Sequence, residues 1–187
     1  MRKIACVLMA AGDEMQDGCA KVLKSIEGRA MAARVMDALP VDRFYRAVTV
    51  TRYPEVADWA RQHGMEVVWN PEPELGACRT IRLGLDAVCG ADACMFVVAD
   101  QPYLSKPSLE RLIDRYLDAP GKIVGLSYEG VRGNPNVFPE HYFEQLLKLT
   151  GNNGGSAVIR EHPDAFVPCE AFDPLELSDR VRDDRRS

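Results

Sequence analysis

The residues best placed to do chemistry lie in the segment from Ala10 to Lys21, which follows the first apolar run of the chain. Small residues at Ala11, Gly12 and Gly18 let backbone N–H groups point at a ligand, and a lysine beyond them can meet a phosphate. The segment therefore fits a phosphate cradle in which Lys21 opposes charge on a transferring group. It matches neither the P-loop pattern nor GxGxxG, so an ordinary strand-to-helix loop is the alternative.

Asp100 is the second candidate, because it directly follows the most apolar run of the sequence. A carboxylate at the carboxyl end of a buried strand is well placed to hold Mg²⁺, which takes oxygen ligands and needs only one or two from the protein. The alternative is that Asp100 caps the turn before Pro102. The six cysteines form no CxxC pair and the three histidines are widely spaced, so we expect no structural zinc site.

Two later segments are rich in turn-forming residues, Gly133–Pro139 and Gly151–Ser156. The first could shape a pocket for a second substrate, or it could be a loop between a strand and a helix. In the second, Asn152 could offer a side-chain oxygen to a metal or a ligand, and Ser156 is the expected N-cap of the next helix. A plain turn with left-handed backbone explains that segment equally well. The side chains of Arg79 and Arg82 could reach toward a phosphate. Alternatively, both could be exposed to solvent.

The elements that must position these residues alternate along the chain, as is typical of α/β proteins. Apolar and β-branched runs predict strands at Ile4–Met9, Tyr45–Thr51, Glu66–Trp69, Ala93–Ala99, Lys122–Ser127, Asn136–Phe138 and, at a sheet edge, Phe166–Pro168. Apolar residues at helical spacing predict helices at Ala30–Leu39, Pro54–Gly64, Gly76–Val88, Ser105–Leu117, Glu140–Leu149 and Ser156–Arg160. The pattern predicts a three-layer α/β/α, Rossmann-like fold with a mostly parallel sheet.

In such a fold, ligands bind at the carboxyl ends of the parallel strands. This rule places three segments around one cleft: residues 10–21 after the first strand, 70–80 after the third and 100–104 after the central one. The candidate residues Lys21 and Asp100 should therefore face each other, although they are far apart in the chain.

The composition excludes several classes of protein. The chain has 187 residues, of which 47% are hydrophobic and 27% charged, and it carries a net charge of −5. We expect one domain spanning residues 1–187, with a charged, frayed tail at 178–187. A mildly acidic protein is not a general binder of nucleic acids or membranes. The cysteine pattern favours reduced thiols, and hence a cytoplasmic location.

Five segments, in order, resemble the MobA-like nucleotidyltransferases, and especially the molybdenum cofactor cytidylyltransferases and related accessory proteins of molybdenum hydroxylases. They are Leu8–Lys21 (compare LAAGxSxRMGxxK), Asn70-Pro71 with Gly76–Leu85, Ala99–Pro102 (compare [GA]DxP), Gly133–Pro139 (compare GNPVLFP) and Leu149–Gly155 (compare LxGDxGG). The resemblance covers most of the chain and implies the nucleotide-diphospho-sugar transferase type of fold.

The resemblance also implies a reaction and a set of site residues. The phosphate of a molybdopterin-type cofactor would attack the α-phosphorus of an NTP, and Mg-pyrophosphate would leave. The backbone from Ala10 to Gly18 would hold the phosphates, Lys21 would stabilise the transferring group and Asp100 would bind Mg²⁺. The remaining implied nucleotide contacts are Ala11, Gly12, Asn70, Gly76 and Thr80. The implied acceptor contacts are Pro102, Asn134, Pro135 and Asn136, and the second implied metal ligand is Asn152.

The sequence departs from the family pattern at charged positions. Glu14, Gln16 and Asp17 replace the Ser, Arg and Met of the first motif, and Asn152 replaces an Asp. The carboxylates of Asp13, Glu14 and Asp17 would repel a triphosphate. Two like charges about 4 Å apart repel by roughly 1 kcal/mol in water and by about 4 kcal/mol at an effective dielectric constant near 20. Swinging the loop into solvent would remove this penalty.

Three functions are therefore compatible with the sequence. The first is an active Mg²⁺-dependent enzyme that transfers CMP, because Ala11 in its Ala-Ala-Gly setting is typical of the cytidylyl branch, which makes CTP the favoured nucleotide. The second is a catalytically impaired relative that binds a cofactor or delivers it to a molybdenum hydroxylase. The third is transfer to another acceptor, such as a sugar phosphate, since one fold serves several acceptors.

Overall fold

The structure, a computed structural model, describes residues 2–16 and 18–180. Its centre is a seven-stranded sheet. The strands are β1 (Ile4–Ala10), β2 (Arg46–Thr51), β3 (Glu66–Trp69), β4 (Ala93–Val98), β5 (Ile123–Tyr128), β6 (Val131–Pro139) and β7 (Phe166–Glu170). They lie side by side in the order β7-β5-β6-β4-β1-β2-β3, so the predicted edge strand is confirmed as β7.

Six of the seven strands run in one direction. Strand β1 pairs in parallel with β2 and β4, β2 with β3, and β5 with β7. Strand β6 alone is antiparallel, to both β4 and β5. It was predicted too short, as Asn136–Phe138, because its first half is rich in turn formers. A register shift between Arg132 and Asn136 lets those residues extend the strand beside β5.

Six α-helices in the described residues cover both faces of the sheet. They are α1 (Met31–Ala38), α2 (Pro54–Gln62), α3 (Ala77–Ala87), α4 (Lys106–Asp118), α5 (Phe143–Leu147) and α6 (Gly155–Glu161). The buried side chains of α1, α2 and α4 belong to one apolar cluster, and those of α3, α5 and α6 to a second. The chain therefore has the predicted three layers.

Strand β1 shows why the central strands are apolar throughout. Ile4, Cys6 and Leu8 pack into the first cluster, whereas Ala5 and Val7 pack into the second. A strand covered on both faces has no polar side, which is the pattern of buried parallel strands. Helix α3 lies so close to β1 that a Cβ atom added at Gly84 would be 2.5 Å from a Val7 methyl group.

Several predicted boundaries are wrong in detail. The first helix begins at Met31, because Ala30 belongs to a short hairpin, and the fifth helix is shortened by a 3₁₀ turn at Glu140–Tyr142. Ser156 is not an N-cap, because α6 already begins at Gly155, where an added Cβ would clash with the Phe138 ring. Ser105 is confirmed as the cap of α4, since its side chain accepts a hydrogen bond from the Ser108 N–H at 3.3 Å.

The connection between β1 and α1 is more structured than a loop. Met15–Gln16 pairs with Cys19–Ala20 in a hairpin, and a 3₁₀ turn at Lys21–Leu23 follows it. A second hairpin pairs Ser25–Ile26 with Arg29–Ala30. Asp17 lies outside the described residues, as do residues 181–187 of the tail for which fraying was predicted.

Candidate active site

A cleft lies at the carboxyl ends of β1 and β4, beside the N-terminus of α3, as the strand rule requires. It has a volume of about 220 Å³ and opens to solvent. Its lining includes Met9, Ala11, Gly12, Asp13, Glu14, Lys21, Val22, Pro73, Gly76, Ala77, Thr80, Val98, Ala99, Asp100 and Asn152.

Lys21 is the centre of the polar contacts in this cleft. Only 7% of the residue is exposed. Its Nζ donates hydrogen bonds to Glu14 Oε2 at 3.1 Å, to Asp100 Oδ2 at 3.1 Å and to Asp179 Oδ2 at 2.9 Å. An ammonium group has three hydrogens, so the three carboxylates use its whole donor capacity.

These contacts shift the pKa values of Lys21 and Asp179. Burial acts to lower the pKa of Lys21, but the hydrogen bonds to Asp179, Asp100 and Glu14 outweigh it and raise that pKa above its ordinary value. The hydrogen bond from Lys21 is also the main cause that lowers the pKa of Asp179. At neutral pH the site therefore holds one ammonium surrounded by carboxylates, and it is negatively charged overall.

The loop that follows β1 forms one side of the cleft. Gly12 to Gln16 are exposed. The Tyr53 hydroxyl donates to the Gly12 carbonyl at 2.7 Å, and the Lys21 N–H donates to the Glu14 carbonyl at 2.9 Å. The loop carboxylates do not all turn away into solvent, because Glu14 folds back onto Lys21.

The opposite side of the cleft is the start of α3. Gly76 has a φ of +83° there, and a Cβ atom at this position would lie 2.5 Å from the Gly151 carbonyl oxygen. A glycine is needed for both reasons, the left-handed backbone and the close approach. Asn70 is buried and donates to Thr80 Oγ1 at 3.2 Å, which braces the first turn of the helix.

The structure brings most of the predicted nucleotide residues together. Ala11, Gly12, Lys21, Gly76, Thr80, Asp100 and Asn152 line the cleft. Three others do not line it. The Ala10 carbonyl accepts from Thr51 Oγ1 at 2.9 Å, Gly18 forms the turn of the hairpin with a φ of +81°, and Asn70 donates to Thr80, which does line the cleft.

The predicted acceptor residues are not part of this cleft. Asn134 and Asn136 line a separate cavity together with Arg132 and Arg160. Asn136 Nδ2 donates to Asn134 Oδ1 at 2.9 Å, so the two amides form one unit. Two prolines of this set are buried, Pro135 and Pro102, and the Pro102 carbonyl accepts from Arg34 Nε at 3.2 Å.

The two arginines that could reach toward a phosphate are paired within the protein. Arg79 pairs with Glu72 at 2.8 Å, and Arg82 donates to the carbonyls of Leu147 and Leu149 at 3.0 and 2.6 Å. Both guanidinium groups thus hold neighbouring segments together. The structure also adds a participant that the sequence analysis did not predict, Asp179.

Asp100 and Asp179, which both accept from Lys21 Nζ, could offer carboxylate oxygens to a divalent cation. Two carboxylates suit Mg²⁺ or Mn²⁺, which complete their coordination with water and substrate phosphates. Within residues 2–16 and 18–180 there is no cluster of three or more His, Cys, Asp or Glu side chains arranged to hold a metal ion. In the same residues no helix is long and apolar enough to cross a membrane.

The sequence comparison decides the family. The model of the MobA-like NTP transferase domain matches residues 6–166, which include the whole cleft loop, Asp100 and the Asn134–Asn136 cavity. The chain belongs to the MobA-like NTP transferase family. No individually curated protein matches the sequence.

Several solved structures share the fold of this chain. A nucleotidyl transferase from Methanothermobacter is 20% identical, with a TM-score of 0.76 over 94% of this chain and 90% of that one. Rv0371c from Mycobacterium tuberculosis, in complex with manganese, is 20% identical, with a TM-score of 0.71 over 94% and 93%. The synthetase of CMP-2-keto-3-deoxy-manno-octonic acid, in complex with CTP, is 14% identical, with a TM-score of 0.70 over 90% of each chain. At these identities, the similarity establishes the fold.

Proposed function

We propose that the protein is a Mg²⁺-dependent nucleotidyltransferase that transfers CMP from CTP to a molybdopterin-type cofactor and releases pyrophosphate. The single observation that carries the proposal is the meeting of Lys21 and Asp100, 3.1 Å apart, in a cleft of this family's fold. A buried lysine beside a carboxylate provides one group for phosphate charge and one for a cation. CTP is favoured by the Ala10-Ala11-Gly12 sequence, and CTP is also the nucleotide bound in one structural neighbour.

The chemistry asks little covalent work of the protein. An oxygen of the acceptor phosphate forms a bond to the α-phosphorus of CTP, and the bond from that phosphorus to pyrophosphate breaks. Positioning and charge neutralisation supply most of the catalysis in such transfers. Lys21 would neutralise charge on the transferring phosphate, and the Gly12 loop and the start of α3 would orient it. A cation held by Asp100 and Asp179 would neutralise charge on the phosphate oxygens.

Nucleotide binding requires a rearrangement around Lys21. Its three hydrogens are already donated, so at least one carboxylate must leave before a phosphate can take its place. The Glu14 side chain is 68% exposed, that of Asp179 57% and that of Asp100 30%. Glu14 is therefore the group most free to move, and a cation bound by Asp100 and Asp179 would weaken their hold on Lys21.

The Asn134–Asn136 cavity is our candidate for the acceptor. It lies beside β4, because Asn136 is in register with Phe96 of that strand. Arg132 and Arg160 on its lining suit an anionic acceptor such as a phosphate ester. A molybdenum hydroxylase is the proposed recipient of the product, and the cytoplasm the proposed location.

The test is pyrophosphate release from Mg-CTP, with protein in excess over nucleotide and with a molybdopterin-type acceptor. We expect release with CTP that depends on the acceptor and on Mg²⁺. Release of pyrophosphate only with GTP would overturn the nucleotide assignment. No release with any of the four NTPs would overturn the catalytic assignment.

A second function is favoured by the crowding of carboxylates on Lys21. If Glu14 does not yield to a nucleotide, the protein is an accessory protein that binds a cofactor without transferring CMP. The restoring variants Glu14→Ser and Gln16→Arg, made together, distinguish the two cases by calorimetry with Mg-CTP. Binding that is absent in the native protein and gained in the double variant supports the accessory function, whereas binding by the native protein supports the enzyme.

A further inference from the structure

A buried carboxylate outside the cleft fastens the segment that carries Asp179. Glu176 is 2% exposed and lies in a 3₁₀ turn, Pro174–Leu177. Its Oε1 accepts from the N–H groups of Phe172 and Asp173 at 3.1 and 3.2 Å. Its Oε2 accepts from the N–H and the hydroxyl of Ser105 at 3.2 and 2.9 Å. Two donors thus come from its own segment and two from the start of α4.

This contact joins the same two segments that Lys21 joins. Ser105 follows Asp100 by five residues, and Glu176 precedes Asp179 by three. Lys21 Nζ bridges the two aspartates at 3.1 and 2.9 Å. The segments that contain Asp100 and Asp179 are therefore fixed to each other at two points, one inside the cleft and one behind it.

Apolar contacts hold the rest of this segment, which we call the C-terminal strap (residues 171–179). Leu177 packs against β6 so closely that a Cβ atom added at Gly133 would lie 2.7 Å from its methyl carbon. The Arg111 guanidinium stacks 3.7 Å above the centre of the Phe172 ring. These contacts place the strap on the sheet and on α4, but Glu176 is the residue that ties it to the segment leading from Asp100.

We propose that Glu176 is a positioning residue of the nucleotide site, which holds Asp179 beside Asp100 and Lys21. The inference rests on the proposed function, because the position of Asp179 matters to catalysis only if a cation and a nucleotide bind there. A carboxylate fixed in advance removes freedom that ligand binding would otherwise have to remove. A glutamine at 176 cannot replace it, since one amide oxygen cannot serve four donors and the amide nitrogen accepts none.

The test compares Glu176→Gln with Asp179→Asn and with the double variant. The matched control is Glu144→Gln, because Glu144 is an exposed glutamate of α5 that pairs with Lys148. Three readouts are taken: hydrogen exchange of the amides of residues 172–180, the acylation rate of Lys21 followed by mass spectrometry, and the ratio of CTP affinities with and without Mg²⁺. The first two need no nucleotide and no activity.

In Glu176→Gln we expect faster exchange confined to the strap, faster acylation of Lys21 and a roughly tenfold loss of the Mg²⁺ enhancement of CTP binding. The double variant should lose no more enhancement than Asp179→Asn alone, because Glu176 acts through Asp179. Additive losses, or loosening of the strap without any change in the enhancement, would overturn the proposal, and so would unchanged exchange. If the native protein binds no Mg-CTP, the proposed function fails, while the exchange and acylation results still confirm or refute the placement of Asp179 by Glu176.

Discussion

Lys21 and Asp179 are 158 positions apart in the chain, yet Lys21 Nζ donates to Asp179 Oδ2 at 2.9 Å. The first loop of the fold and its C-terminal strap therefore meet in the cleft. Asp100, at the end of β4, completes the arrangement at 3.1 Å from the same nitrogen. A nucleotide that enters this cleft must compete with carboxylates for one ammonium group, and the following expectations arise from that competition.

Replacing Lys21 by methionine removes the charge and keeps most of the side-chain volume. Single-turnover pyrophosphate release should fall by about 10²- to 10³-fold, the usual effect of losing a group that stabilises charge in the transition state. Lys148→Met is the control, because Lys148 is exposed and pairs with Glu144. Equal rates for Lys21→Met and the native protein would show that Lys21 does not contact the transferring phosphate.

Replacing Asp179 by asparagine should change CTP binding in opposite directions with and without metal. In EDTA the affinity should rise about fivefold, because a repulsion of about 1 kcal/mol or more is removed from the triphosphate site. With Mg²⁺ the enhancement should shrink, because one carboxylate ligand is lost. Calorimetry measures both, with Asp118→Asn at the exposed end of α4 as the control. A lower affinity in EDTA would contradict the competition for Lys21.

Four of the six cysteines should react with iodoacetamide in two distinct groups. Cys89 is exposed and Cys19 is half-buried in the cleft hairpin, so both should label within minutes. Burial raises the pKa of the Cys6 and Cys94 thiols, and both should stay unlabelled until the protein unfolds. Mg-CTP should protect Cys19 and leave Cys89 unaffected. Protection of neither thiol would place the nucleotide away from the hairpin.

Asp37, which lies outside the cleft, should make the free energy of unfolding depend on pH. Hydrogen bonds from Arg29, and secondarily one from His63, lower the pKa of this carboxyl in the folded state. Its stabilisation is therefore complete above the ordinary carboxyl pKa and is lost as the pH falls through the lowered value. Asp37→Asn should reduce the free energy of unfolding by at most ~1 kcal/mol at pH 7, since the pair is half-exposed, and by almost nothing near pH 2. Urea denaturation at both pH values measures this. A difference that does not change with pH would contradict the assignment.

The sequence predicted the layers well because buried strands and helix faces have characteristic patterns of apolar residues. The run at Ala93–Val98 is apolar on both faces, and the spacing of Leu109, Leu112 and Tyr116 marks one face of a helix. The rule that ligands bind at strand ends then placed Lys21 and Asp100 in one cleft. Each of these inferences depends only on local pattern and on the topology of parallel sheets.

Other features depend on contacts that no local pattern records. Nothing near Glu176 indicates that its carboxylate accepts from Ser105, and nothing near Asp179 indicates that it reaches Lys21. The loop carboxylate Glu14 could have pointed into solvent, but the unsatisfied donors of a buried ammonium draw it back. Gly133–Pro139 was split into a turn and a short strand because a register shift in a strand has no sequence signature of its own.

The central claim is that this cleft transfers a nucleotidyl group, and label transfer from [α-³²P]CTP tests it most directly. Under single-turnover conditions with Mg²⁺ and a molybdopterin-type acceptor, the native protein should move the label into the acceptor with one pyrophosphate released per label. Lys21→Met should leave the label in CTP. Label that stays in CTP with the native protein, although calorimetry shows that Mg-CTP is bound, would contradict the claim.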